Sequence, residues 1–330
     1  NRPVRELNVG RTILGDFQRQ LCAGYLENFD FSSLNATIEQ LQIGSAIGRG
    51  LIRYFHQRLT MNYLAAADTA DNLVDKWRKT NPEIKTGFQK TLEAMAMKKQ
   101  WQTVEDYLQE LQDDMAIFLN PPEHPRYYND PQKSALVEKY WQMWLVTSQR
   151  RIAELWLNAW LKWVTGHYTD FLARLYRINE AILHWIFENE TRRSIRKEGH
   201  MFIDFETYLF NEGQEFAEFL EHEGIKGTTP DVVKMKKFLT WLVKKQKRDD
   251  LRDIKRLIDL IGDTDGVLML RNHSIIAHGY EPVTQEKIHD KYRGDNLISD
   301  IRKTLTQLEI NDHTVKVELS RNLIYHDLDV

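Results

Sequence analysis

The chain has 330 residues, long for one ordinary domain of about 100–200 residues and short for three. Apolar residues at 42% and charged residues at 28% fit a packed soluble protein and exclude a disordered one, while only 16 Gly and 8 Pro argue against a turn-rich β-sandwich. The 45 Lys and Arg against 48 Asp and Glu leave a formal charge of −3, which excludes a global basic signature for nucleic acid but not a local basic face.

The chain opens with Asn1-Arg2-Pro3 rather than Met or an apolar signal region, and reads as a fragment or a chain whose beginning has been removed. From Ile13 to Glu27, Leu14, Phe17, Leu21, Tyr25 and Leu26 fall on one stripe, which predicts an amphipathic helix. Cys22 within it is the only cysteine, so an internal disulfide, a Cys-based zinc site and an iron–sulfur cluster are excluded, and a reducing cytoplasmic setting is expected. Asp30 and Ser32 read as caps of a helix through Leu34, Ile38 and Leu41. The glycine-rich run Gly44 to Gly50 lacks both the preceding strand and the Gly-Lys-Ser/Thr of a phosphate loop, so close helix packing or a helix start explains it better. Helices are expected at about 45–79 and 84–119, with no strand–helix alternation and hence no nucleotide-binding α/β domain.

Pro121, Pro122 and Pro125 then interrupt any helix and place the domain boundary. The expected organisation is a helical connector over 1–130, a second helical bundle over 131–310, and a terminal hairpin or tail over 311–330. Helices are predicted at about 132–164, 168–190, 203–222, 231–246, 248–262, 266–279 and 284–309. The runs 314–319 and 323–328 look β-like and suggest a small hairpin, although the turn Ser320-Arg321-Asn322 lacks the usual Gly. Trp141, Trp144, Trp156, Trp160 and Trp163 recur at helical spacing and read as core rather than as a base-stacking platform. No 18-residue uncharged apolar run predicts a membrane span. No His pair stands at i, i+4, and Glu221-His222-Glu223 points three ways around a helix, so neither a structural nor a catalytic metal is expected.

Charge is uneven. Ten of the 23 residues from Lys234 to Arg256 are Lys or Arg, Arg192, Arg193, Arg196 and Lys197 form a second cluster, and residues 204–223 carry seven acids with no Lys or Arg. Solvated faces with compensating pairs are the plain reading; a phosphate-tracking surface is the sharper one. The most informative segment is Leu270 to Gly279. Arg271 and His278 are seven residues apart, about 20° from eclipsed on a helix, and Gly279 suits a helix end. An arginine fork beside an imidazole suits chemistry on a phosphodiester: one holds developing negative charge, the other moves a proton near neutral pH. Spacing alone decides little, because Arg49/His56, Arg177/His184, Arg193/His200 and Arg321/His326 also fit an Arg-x(4–6)-His pattern. Only Arg271 and Arg321 are followed by Asn, and only Arg271 lies in a convincing helix that ends in Ala-His-Gly.

The segment Leu270-Arg271-Asn272 through Ala277-His278-Gly279 to Val283 resembles the active-site segment of HEPN ribonucleases, most fully that of the CRISPR-associated CARF–HEPN proteins of type III systems. Gly166 to Asp170 and Ala173 to Arg177 resemble that family's earlier helix pair, so the likeness covers about 135–285. It implies an all-α fold ending in a HEPN-type bundle that dimerises and brings two Arg–His pairs into one cleft. It further implies metal-independent cleavage of single-stranded RNA, with no cofactor, under the control of cyclic oligoadenylate bound to a CARF domain; no CARF-like segment is visible in this sequence. Carried over residue by residue, Arg271 and His278 match the motif's pair and Asn272 its polar companion, while His273 has no fixed role. The alternatives are a catalytically silent HEPN module that binds RNA or a protein, and a HEPN toxin paired with an antitoxin.

Overall fold

The computed structural model describes residues 9–95, 100–119, 134–191, 197–198, 201–202, 214–225, 231–262, 266–273 and 282–328. They form an all-α protein apart from a minimal antiparallel ladder, β1 (Lys197–Glu198) with β2 (Met201–Phe202). The chain divides into two compact units, one of 1–121 with 314–330 and the other of 122–313. No helix among the described residues is long and apolar enough to cross a membrane.

The first unit holds α1 (Val9–Glu27), α2 (Phe31–Leu41), α3 (Ala46–Leu59), α4 (Tyr63–Arg78), α5 (Pro82–Ala94) and α6 (Val104–Leu119). Side-chain caps set most of the starts. Asp30 accepts from Ser33 N at 3.0 Å, Ser45 from Gly48 N at 3.1 Å, and Asn81 from Glu83 N at 2.8 Å ahead of Pro82. The expected helix over 45–79 is two, because Met61 turns the chain at φ 61° and Asn62 caps α4. The Gly44–Gly50 run is a helix start in close packing. A Cβ on Gly48 would stand 2.0 Å from Asp327 Oδ2, and one on Gly50 2.5 Å from Leu73 Cδ2.

The tail departs from expectation: residues Thr314–Leu328 are a helix, α15, and not a hairpin. Val317, Ser320, Leu323, Ile324 and Leu328 are buried at helical spacing, so the alternation of Val315, Val317 and Leu319 is incidental to a 3.6-residue period. The helix packs on α1, α3 and α5 of the first unit. Lys316, 1% exposed, is held by Asp114 at 2.7 Å and Glu110 at 2.6 Å, while Arg58 approaches Asp114 at 3.6 Å. The Tyr107 hydroxyl donates to the Lys316 carbonyl at 2.8 Å and lies 2.5 Å from Ser320 Oγ. Burial drives its pKa well above the usual tyrosine range. Two cations thus face the buried carboxylate of Asp114 and the partly exposed one of Glu110, the compensation a buried charge requires.

The second unit is built on α7 (Ser134–Val164) and α8 (Tyr168–Thr191), joined through Gly166 at φ 75°. Trp156 and Trp160 are buried, as a core stripe demands, and Trp156 Nε1 donates to Asp312 at 3.0 Å; the side chains of Trp141 and Trp144 lie outside the described residues. Helix α8 is central, with Phe171, Leu175, Ile178 and Ile182 buried. Against it pack α9 (Gln214–His222), α10 (Val232–Lys244), α11 (Arg252–Gly262) and α12 (Val267–His273). The expected helix over 284–309 is α13 (Gln285–Lys291) and α14 (Leu297–Gln307). They are parted where the Tyr292 ring crosses Gly294, at 2.6 Å from the place of a Cβ, and where Asn296 caps α14 at 2.9 Å from Ser299 N.

Candidate active site

Arg271 sits in the last turn of α12, whose Val267 and Leu268 are buried. Its guanidinium carbon lies 4.6 Å from the centre of the Tyr176 ring on α8, and its Nε is sequestered from solvent. Arg177 reaches the same ring at 5.6 Å while its Nη1 donates to Glu180 at 2.9 Å. A ring face attracts a cation through its quadrupole and fixes the plane of the guanidinium. Sequence reasoning singled out the segment Ala173 to Arg177 only by likeness; the signal for Tyr176 itself is spatial, since 95 residues separate it from Arg271.

Asn272 belongs to α12 by its backbone, but its side chain lies outside the described residues, and so do residues 274–281 with His278. The described chain on either side is docked on α8. Before the segment, α12 packs on α8 around Tyr176; after it, Gln285 at the start of α13 accepts from the Tyr168 hydroxyl at 3.0 Å. Trp163 packs edge-on against Tyr168 at 5.4 Å and His289 at 6.0 Å, fixing α13 to the turn between α7 and α8. The two anchors, Tyr168 and Tyr176, are eight residues apart, about 12 Å along one helix.

Of the competing Arg–His pairs, Arg49/His56 and Arg321/His326 are engaged elsewhere, Arg193/His200 lies outside the described residues, and in Arg177/His184 the arginine shares the Tyr176 ring with Arg271. Arg49 Nη1 donates to the Gly44 carbonyl at 2.7 Å, and His56 Nδ1 lies 2.9 Å from Ser32 Oγ. Arg321 stacks on Phe29 at 4.7 Å, whereas His326 packs edge-on against Phe88 at 6.2 Å. That pair lies in α15 rather than in a strand, and a spacing of five still points the two side chains about 140° apart.

Four of the ten basic residues from Lys234 to Arg256 pair with carboxylates. Arg248 forms a fork with Glu190 and bonds Asp250 at 2.8 Å, Arg252 pairs with Asp249, Lys255 with Asp259, and Lys234 lies 3.8 Å from Asp231. Lys237, Lys244, Lys245 and Lys247 are exposed and form the part of the run open to an anion. Arg192, Arg193 and Arg196 lie outside the described residues.

The family profile described as the Cas_Csm6 HEPN domain matches residues 131–320. The chain belongs to this CRISPR-associated HEPN ribonuclease family. The match runs from the start of α7 into α15 and includes Tyr176, Arg271 and His278. Among curated proteins and solved structures nothing matches. The helical fold agrees with a HEPN bundle, and the family places the chain among CRISPR-associated HEPN nucleases.

Proposed function

We propose that the chain is a metal-independent endoribonuclease that cuts single-stranded RNA in type III CRISPR defence. The observation that carries this reading is the Arg271 guanidinium, held on Tyr176 inside the region matched to the family. In the reaction the RNA 2′-oxygen attacks the adjacent phosphorus and the P–O5′ bond breaks, leaving a 2′,3′-cyclic phosphate and a 5′-hydroxyl. His278 serves as general base for the 2′-hydroxyl proton or as general acid for the leaving 5′-oxygen, a role typically contributing about 10²–10⁴-fold in rate. Arg271 stabilises the charge gathering on the phosphorane oxygens, and Asn272 orients the phosphate. A two-fold axis near His278 would bring two such pairs to one scissile phosphate, so the active form is a homodimer. Control by cyclic oligoadenylate through a CARF domain, a cytoplasmic location, and the division into a connector over 1–130 and a nuclease domain over 131–310 belong to the same reading.

The test is cleavage of a labelled single-stranded RNA in excess chelator, with the product ends identified. Arg271→Ala and His278→Ala should abolish cleavage, while Arg321→Ala and His326→Ala should retain most of it. Strict dependence on a divalent ion, or loss of activity only in the second pair of variants, would overturn the assignment. Under subunit exchange with excess His278→Ala chains, a composite site predicts falling activity per wild-type chain.

A further inference from the structure

A groove of about 270 Å³ between α7 and α8 is used neither by the core nor by the chemistry above. Ser148, Arg151 and Leu155 line it from α7, and His184, Trp185 and Glu188 line it from α8. Its chemistry is unusual for a seam between two packed helices. Glu188 is 4% exposed, and a buried carboxylate persists only with compensating partners; the Arg151 guanidinium faces the same groove. Burial lowers the Arg151 pKa and the charge of Glu188 opposes that shift, so the two sense each other. Burial also lowers the His184 pKa, which keeps the imidazole neutral at neutral pH. Trp185 Nε1 is buried and finds no acceptor among the described residues, a destabilising state unless something in the groove accepts from it.

A pocket that offers a carboxylate, a guanidinium and an indole N–H asks for a flat ligand with adjacent donors on one edge and acceptors on another. Among the RNA bases only guanine sets two donors side by side, N1–H and the N2 amino group, with O6 and N7 as acceptors for arginine. Adenine turns a ring nitrogen acceptor toward the carboxylate, uracil flanks its one donor with two acceptors, and cytosine sets its amino donor beside the N3 acceptor. We propose that this groove holds a guanine base of the RNA substrate, read by Glu188 and Arg151, with Trp185 donating to an acceptor of the same nucleotide. The proposal rests on the nuclease reading above. Helix α8 links the two places: His184 lies eight residues beyond Tyr176, about 12 Å along the axis and within reach of a neighbouring nucleotide.

The test uses a short oligoadenosine carrying one guanosine, one inosine or none, presented to the full chain. Wild-type protein should cut the guanosine strand roughly ten- to a hundredfold faster than plain oligoadenosine, with inosine between because it lacks the N2 amino group. Glu188→Gln should erase the difference between guanosine and inosine. Trp185→Phe, which deletes the N–H and keeps the ring, should reduce the preference severalfold if Glu188→Gln fails to fold. Binding of the same strands to the His278→Ala chain gives a readout free of cleavage. Cleavage without guanosine preference, or a preference that survives both variants, overturns the guanine pocket and leaves the nuclease intact. Guanosine-selective binding that depends on Glu188, with no cleavage by wild-type protein, keeps the pocket and overturns the nuclease. Neither binding nor cleavage overturns both.

Discussion

Replacing Tyr176 by Ala removes the ring on which Arg271 rests while leaving α8 a good helix. The guanidinium is half-buried at 4.6 Å from the ring centre, so the contact falls between exposed cation–π pairs, at about 0.5–1 kcal/mol, and desolvated ones, at about 2 kcal/mol. Taking about 1–2 kcal/mol, and assigning it all to the position of Arg271 in the transition state, predicts a five- to thirtyfold loss, roughly, in the single-turnover cleavage rate. Substrate affinity should change less than the rate, because the ring acts through Arg271 rather than on the RNA. Tyr176→Phe keeps the aromatic face and should recover most of the rate, a rescue that general loss of packing would not show. The assay is cleavage of a labelled RNA with enzyme in excess, at several enzyme concentrations, so that rate and binding separate. Unaltered cleavage by Tyr176→Ala, or a Tyr176→Phe chain as slow as the Ala variant, would refute the positioning role.

Lys316→Met leaves Glu110 and Asp114 without their closest cation, and breaking a buried pair of this kind costs about 3–5 kcal/mol, to be read from the urea midpoint at constant m. A loss below about 1 kcal/mol would mean that water reaches the site. Gly48→Ala drives a methyl to 2.0 Å from Asp327 Oδ2 and should cost about 1–3 kcal/mol, part of it recovered in the double variant with Asp327→Ala. Burial holds the Asp327 carboxyl above the ordinary carboxylate range even though Ser45 N–H donates to it at 2.8 Å. A folded pKa above the unfolded one gives stability that is present below the unfolded value and lost as pH rises through the folded value. Asp327→Asn should therefore raise Tm at neutral pH, with the gain fading as pH falls through the folded pKa and gone by about pH 4; a lower Tm at neutral pH would show that the charge is needed.

Most of the helical architecture is legible in the sequence because it rests on local signals. The stripe of Trp156 and Trp160, the caps at Asp30 and Ser45 and the Gly166 turn all act within a few residues of themselves. The tail is misread because Val315 to Leu319 alternates apolar and polar over five residues, and because Lys316 reads as a solvent-facing lysine. Its partners, Glu110 and Asp114, lie about two hundred residues upstream, where no window reaches. The same limit hides Tyr176 beneath Arg271 and Glu190 beneath Arg248. Composition makes the basic run look like a continuous face; the carboxylates that offset part of it become visible only when the helices come together. In the candidate site, the Arg–His spacing is legible and the aromatic support is not.

The return of α15 to the first unit sets an order of events during synthesis. Domains fold from the N-terminus as the ribosome adds about 5–20 residues per second. Asp114 and Lys316 are 202 residues apart, so Asp114 waits on the order of 10–40 s for its lysine. Throughout that interval α1, α3 and α5 lack the helix that covers them, and all of the second unit, with Arg271 and His278, leaves the ribosome first. A nascent chain stalled before Thr314 therefore carries the complete second unit beside an unfinished first one, a state in which chaperones and proteases meet apolar surface that the mature protein never shows.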